Sequence, residues 1–142
     1  MKTVKEISTI LKNKPGQLSE LSEILGANGV NIIAFYVTTA GEEGLLRFVA
    51  NDPGRAMNVL TSAGYDVKVK EVIACETPHH PGGLNAVLKP LKNADINVDY
   101  IYPCISTGDI TVLIIGLKPI EKALRTMESN WIRVLGQELY HM

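Results

Sequence analysis

The sequence predicts an α+β fold built from two tandem βαββαβ units packed side by side. Three observations carry this: an internal repeat, alternating strand and helix periodicities within each copy, and no linker between copies. Pro15-Gly16-x-Leu18 returns as Pro81-Gly82-x-Leu84 (81 − 15 = 66). Asn31 returns as Asn97, Tyr36 as Tyr102 and Pro53 as Pro119 at the same spacing. Landmarks matched along a whole chain mean a duplicated unit, and two copies are too few for a solenoid. The 142 residues allow one ordinary domain or two small ones. The repeat decides for two, residues 1–70 and 71–142. Units of about 70 residues are near the lower limit for folding alone, so they have reason to pack together.

The elements of the first unit follow in order. Residues 4–11 are β-branched and partly alternating, hence a strand. Asn13-Lys14-Pro15-Gly16 is a turn, punctuated by Pro and Gly. Residues 17–28 place Leu18, Leu21, Ile24 and Leu25 on one helical face, and Asn28-Gly29 ends that helix. Residues 31–39 and 44–50 are strands joined by a turn at Gly41, which makes them antiparallel. Asp52-Pro53 opens a second helix as N-cap and first-turn proline. Ala56, Val59, Leu60 and Ala63 form its buried stripe, and Gly64 stops it. Residues 65–69 alternate as a fourth strand. This order is the split βαβ, or ferredoxin-like, arrangement.

The second unit repeats the order. Its strands fall near residues 71–77, 97–105, 109–116 and 131–135, its helices near 82–94 and 119–129. Pro90 lies inside the first of these helices, so a kink is expected there. The last helix matches its counterpart better at a spacing of 64, which makes the Pro53/Pro119 match a coincidence beside a two-residue indel. Residues 65–77 contain no Gly or Pro, so one unit's last strand passes directly into the next unit's first. Residues 137–142 stand where a third copy would begin and are expected to add a short edge strand.

Composition removes several function classes. With 46% hydrophobic residues and a net charge of −1, the chain is not a disordered polyelectrolyte. Fourteen Lys and Arg against fifteen Asp and Glu leave no basic excess for nucleic acid. No apolar run reaches a membrane span, and residues 1–14 lack a signal-peptide core. Cys75 and Cys104 form no CxxC motif and no disulfide framework. The expectation is a cytoplasmic protein with reduced thiols and no membrane.

Catalytic and cofactor chemistry finds little support. Both cysteines fall in strand patterns, where a cysteine is usually a small core residue. The available bases are His79, His80 and His141. The Pro-Gly turns lack the Lys and Ser/Thr of a phosphate loop, and no cofactor motif is present. Glu76, His79 and His80 lack a second ligand pair for zinc. An RNA-stacking sheet would need aromatic central strands, and residues 45–50 and 110–116 offer only Phe48 with Arg47.

What remains is a small-ligand site at the Pro-Gly turns. A strand-to-helix turn presents backbone N–H groups that bind carboxylates. Gly16 and Gly82 permit close backbone approach. Asn13 and His79 stand beside the turns. Asn31 and Asn97 open the second strands, where an amide could meet an ammonium or carboxylate, although Asn is common at such positions for turn reasons alone.

Asn13-Lys14-Pro15-Gly16-Gln17-Leu18 followed by Gly29-Val30-Asn31-Ile32 resembles the ACT domain signature, in particular the serine-sensing module of phosphoglycerate dehydrogenases. The resemblance covers essentially the whole chain as two copies. It implies regulatory binding of an amino acid between paired units. By that resemblance Asn13, Pro15, Gly16, Gln17 and Leu18 would face Asn97, while His79, Gly82, Gly83 and Leu84 would face Asn31. The pattern departs from the family at three places. Leu11 stands where serine-sensing modules carry His, His79 replaces Asn13 in the second unit, and Asp95-Ile96-Asn97-Val98 replaces Gly-Val-Asn-Ile.

The function expected is that of a stand-alone regulator, not an enzyme. It would bind an amino acid or related metabolite, control an enzyme partner in trans by a shift between two arrangements, and form a homodimer. The alternative is a ligand-free assembly module that only holds an enzyme.

Overall fold

The computed structural model describes all 142 residues. It divides into two compact units, Lys5–Lys70 and Met1–Val4 with Glu71–Met142. In the first unit the chain runs β1 (Val4–Lys12), α1 (Gln17–Ala27), β2 (Ile32–Ala40), β3 (Glu43–Ala50), α2 (Pro53–Ser62) and β4 (Val67–Thr77). The second continues through α3 (Asn85–Asn93), β5 (Val98–Pro103), β6 (Thr111–Leu117), α4 (Ile120–Ser129) and β7 (Val134–Leu135). β4 crosses the boundary without a break, as the missing Gly and Pro of residues 65–77 require.

Both sheets have the ferredoxin-like order. The first is β2-β3-β1-β4 and the second β5-β6-β4, with β7 on the other side of β4. β1 and β2 both run antiparallel to β3, and β6 antiparallel to β4 and β5. Alternation puts Ile7, Leu11, Leu46, Phe48 and Ala50 on the face that meets Leu21 and Leu25 of α1 and Ala56 and Leu60 of α2. In the second unit Ile73, Cys75, Leu113, Ile115 and Leu117 meet Val87, Leu91, Ala123 and Met127. Each unit thus has its own core. Truncating a fully buried Leu such as Leu21 or Leu60 removes both transfer energy and packing, typically about 2–5 kcal/mol.

The repeat is legible in the strands. A β-bulge interrupts β2 between Ile32 and Ala34, and another interrupts β5 between Val98 and Tyr100. Both bulges follow the paired Asn31 and Asn97 directly. From the third strand on, the spacing becomes 67: buried Leu46 and Phe48 correspond to Leu113 and Ile115 (113 − 46 = 67). The indel is therefore one residue, not two, and lies in the β5–β6 connection. Pro53 is the first residue of α2, whereas Pro119 is the N-cap of α4, so their match is indeed a coincidence.

All four helices end alike. Val30, Tyr65, Ile96 and Ile132 each donate their N–H to the carbonyl five residues back, at 2.9–3.0 Å. This Schellman geometry needs a left-handed residue just before the donor. Gly29 and Gly64 supply it in the first unit, Asp95 and Trp131 in the second, at φ +59° and +61°. For a non-glycine residue that conformation costs about 1–2 kcal/mol.

Three sequence expectations for the second unit need correction. Residues 82–84 are a turn and α3 begins at Asn85, because Gly82 at φ +81° cannot be helical. From there α3 continues to Asn93 with Pro90 inside it, as the sequence placed it. β7 has two residues rather than the five of 131–135, because Trp131 is spent on terminating α4. Residues 137–141 form a 3-10 helix anchored by buried Leu139, not an edge strand.

Candidate ligand-binding turns

The first turn is built where β1 hands over to α1. Asn13 donates its backbone N–H to the Glu42 carbonyl at 2.7 Å and its side-chain amide to the Gly41 carbonyl at 3.0 Å. Its amide thus ties the turn to the tip of the β2–β3 hairpin. Pro15 leads into Gly16, the N-cap of α1, at φ +90° and with no side-chain cap. Glu20 N–H donates to the Gly16 carbonyl at 2.9 Å, and Gln17 N–H reaches the Lys14 carbonyl only at 3.4 Å. The N–H groups of Leu18 and Ser19 have no backbone acceptor. A Cβ placed on Gly16 would meet nothing within 4 Å. Gly16 is therefore required by its φ rather than by a close neighbour, and the space over the helix start is open. Leu18 stands exposed beside it.

The second turn is more closed. Buried Thr77, the counterpart of core residue Leu11, places its hydroxyl 3.4 Å from the Gly83 carbonyl. Gly83 N–H donates to His80 at 2.8 Å; Asn85, Ala86 and Val87 donate to Gly82, Gly83 and Leu84. The Asn85 bond, at 3.2 Å, consumes the counterpart of the open Ser19 donor, whereas Leu84 N–H, the counterpart of Leu18, has no backbone acceptor either. His80 Nδ1 lies 2.9 Å from the Pro81 carbonyl, and His79 projects into solvent. Leu84 is exposed like Leu18. The two turns thus share a backbone plan and differ in available donors.

Asn31 and Asn97 are both exposed. Asn31 is held through its backbone: its N–H donates to Asn51 Oδ1 at 2.9 Å, and its carbonyl accepts Asn51 N–H at 3.0 Å. The Asn31 side-chain amide is left to solvent. In the second unit Asn97 leans on Asp99, with Nδ2 3.5 Å from Oδ1. Asn51 was not legible as a partner of Asn31; its only sequence signal is its place before the Asp52-Pro53 helix start.

No three His, Cys, Asp or Glu side chains converge as metal ligands. The thiols are poor nucleophiles. Burial pushes Cys104 up to about 12, and burial, with Cys104 nearby, does the same to Cys75. Both are free. Iodoacetamide at pH 8 is therefore expected to label neither in the folded protein and both in denaturant. The sign of the linkage follows. Unfolded thiols ionise near their ordinary value of 9.0 while the folded ones stay protonated to about 12. Between those limits the unfolded state binds fewer protons, so stability falls as pH rises. Cys75→Ala should flatten that alkaline decline in urea unfolding.

These turns, sheets and duplicated helices define a tandem βαββαβ module, and the chain belongs to the ACT domain pair family, whose model matches residues 2–138. Among solved structures it is similar to protein BT0572 from Bacteroides thetaiotaomicron, with TM-score 0.92, 25% identity, and 99% of this chain and 98% of that chain covered. It also resembles the fold of the regulatory subunit of aspartate kinase from Thermus flavus (TM-score 0.62, 14% identity, 92% and 94% covered). The ligand-free regulatory subunit from Thermus thermophilus gives TM-score 0.64 at 14% identity and the same coverage. No curated protein sequence matches the chain. No helix is long and apolar enough to cross a membrane.

Proposed function

We propose that the chain is a cytoplasmic regulator that binds an amino acid at its strand-to-helix turns and controls an enzyme in trans, as a homodimer. The observation that carries this reading is the open start of α1. Leu18 and Ser19 N–H point out of a helix end that no side chain caps, under a glycine with free space above it. A helix N-terminus of this kind favours a carboxylate. Asn13, Pro15, Gln17 and Leu18 frame that position in the proposal. Asn31 and Asn97 offer amides to the ligand's polar groups. His79, Gly82, Gly83 and Leu84 form the counterpart, which the one consumed donor, Asn85 N–H, makes the weaker site. The family membership and the likeness to regulatory subunits support a role in binding rather than catalysis.

A thermal-shift screen against the twenty amino acids tests this. A ligand at ~100 times its dissociation constant should stabilise the fold by about 2.7 kcal/mol, or roughly 5–10 °C for a chain of this size. Gly16→Val, which puts a β-branched residue at φ +90°, should abolish the shift. No shift with any amino acid would leave the assembly module as the better account.

A further inference from the structure

The surface around Trp131 is used by nothing described so far. Trp131 is 95% exposed and is the chain's single tryptophan. It holds the left-handed conformation that Gly29, Gly64 and Asp95 hold at the other helix ends. A bulky side chain there is an outlier, and such outliers gather at clamps and contact points. Beside it lies a hollow of about 760 Å³ with apolar walls from Met1, Leu124, Ile132 and Val134. Glu121, Arg125 and Glu128 of α4 line the same hollow. Their spacing of four and three residues puts them in one row on the helix. None of the three is in an ion pair.

We infer that this face pairs with the same face of a second copy of the chain. An interface about a twofold axis must be its own complement. A protruding indole beside an apolar hollow satisfies that in shape, since each copy's Trp131 can enter the other's hollow. The acid-base-acid row satisfies it in charge. Laid antiparallel with an offset of one turn, Arg125 of each copy meets Glu121 or Glu128 of the other. Trp and Arg are the usual energetic anchors of such contacts. A small charged ligand fits less well. Arg133 already pairs with Glu76 at 3.5 Å. The Glu138 carboxyl, lowered first by backbone hydrogen bonds, also feels Lys2 and Arg133. The charges left over are of both signs. The inference gives a face to the homodimer proposed above and is independent of the ligand turns.

Sedimentation equilibrium of the full chain, with tryptophan emission followed over concentration, tests it. The wild type should dimerise, and emission should move to shorter wavelength as the only indole leaves water. Trp131→Gly puts the preferred residue at this helix end, so the fold should persist while the dimer dissociation constant rises about tenfold or more. Arg125→Glu should weaken pairing likewise, and the triple reversal E121R/R125E/E128R, self-complementary again, should restore it. A wild-type chain still monomeric at ~1 mM, the weak end of specific affinity, overturns the inference. So does a Trp131→Gly dimer as tight as the wild type, which would keep the homodimer but move it to another face.

Discussion

Replacing Arg47 with Ala should lower the unfolding free energy by about 3 kcal/mol, the lower end of the cost of breaking a buried ion pair. Glu6 of β1 is 1% exposed, and its Oε1 accepts from Arg47 Nη1 of β3 at 3.2 Å. The antiparallel register sets Ser8 opposite Arg47, so the pair is a cross-strand diagonal within reach of a long side chain. Arg47 keeps a quarter of its side-chain surface in solvent, which places the cost at the lower end. Its loss leaves the carboxylate with its desolvation penalty and removes the Arg47 charge from beside it. Glu6→Gln in the same background should recover much of the loss, since a neutral amide is cheaper to bury. Urea unfolding of the two single variants and the double variant checks both statements through their coupling energy.

Gly83→Ala is the second large effect. A Cβ there would lie 2.2 Å from the Pro78 carbonyl oxygen and 3.0 Å from that of His80. Both neighbours are backbone, and Gly83 itself donates to the His80 carbonyl. Relief requires opening the turn, and overpacking of this kind costs typically about 1–3 kcal/mol. With backbone on both sides the expected loss is at the upper end. Gly82→Ala should cost less, about 1–2 kcal/mol for its positive φ, because nothing lies within 4 Å of its Cβ position. Denaturant midpoints of the two alanine variants therefore rank the neighbouring glycines, Gly83 being the more sensitive.

That ranking shows where sequence reasoning stopped. The repeat matched Gly16 with Gly82 and treated Gly82 and Gly83 as ligand-contacting alike. Only the path of the chain shows that Gly83 is pressed against Pro78. The βαββαβ order, the cores and the helix ends at Gly29 and Gly64 were legible because periodicity and glycine are local signals. The ends of α3 and α4 were read to within one residue, but their left-handed caps at Asp95 and Trp131 were not, since no local rule places a tryptophan in that region. The spacing of 67 was hidden because the apolar residues of α4 also match those of α2 at 64, about one helical turn away (67 − 64 = 3), whereas the cores pair Ala56 with Ala123 and Leu60 with Met127. At the candidate site, Gly16 and Asn31 were readable from the motif. The tie of Asn13 to the hairpin and the latch of Asn31 by Asn51 bring together residues distant in sequence, which a single chain without structure does not announce.

The regulator account stands or falls on whether the start of α1 holds an amino acid. Amide NMR with the amino acid that gives the largest thermal shift measures this most directly. The account predicts saturable shifts led by the Gly16, Leu18 and Ser19 amides, whose N–H groups would take up the carboxylate. Binding that leaves these amides unmoved while perturbing others, or no binding by any amino acid, would contradict it.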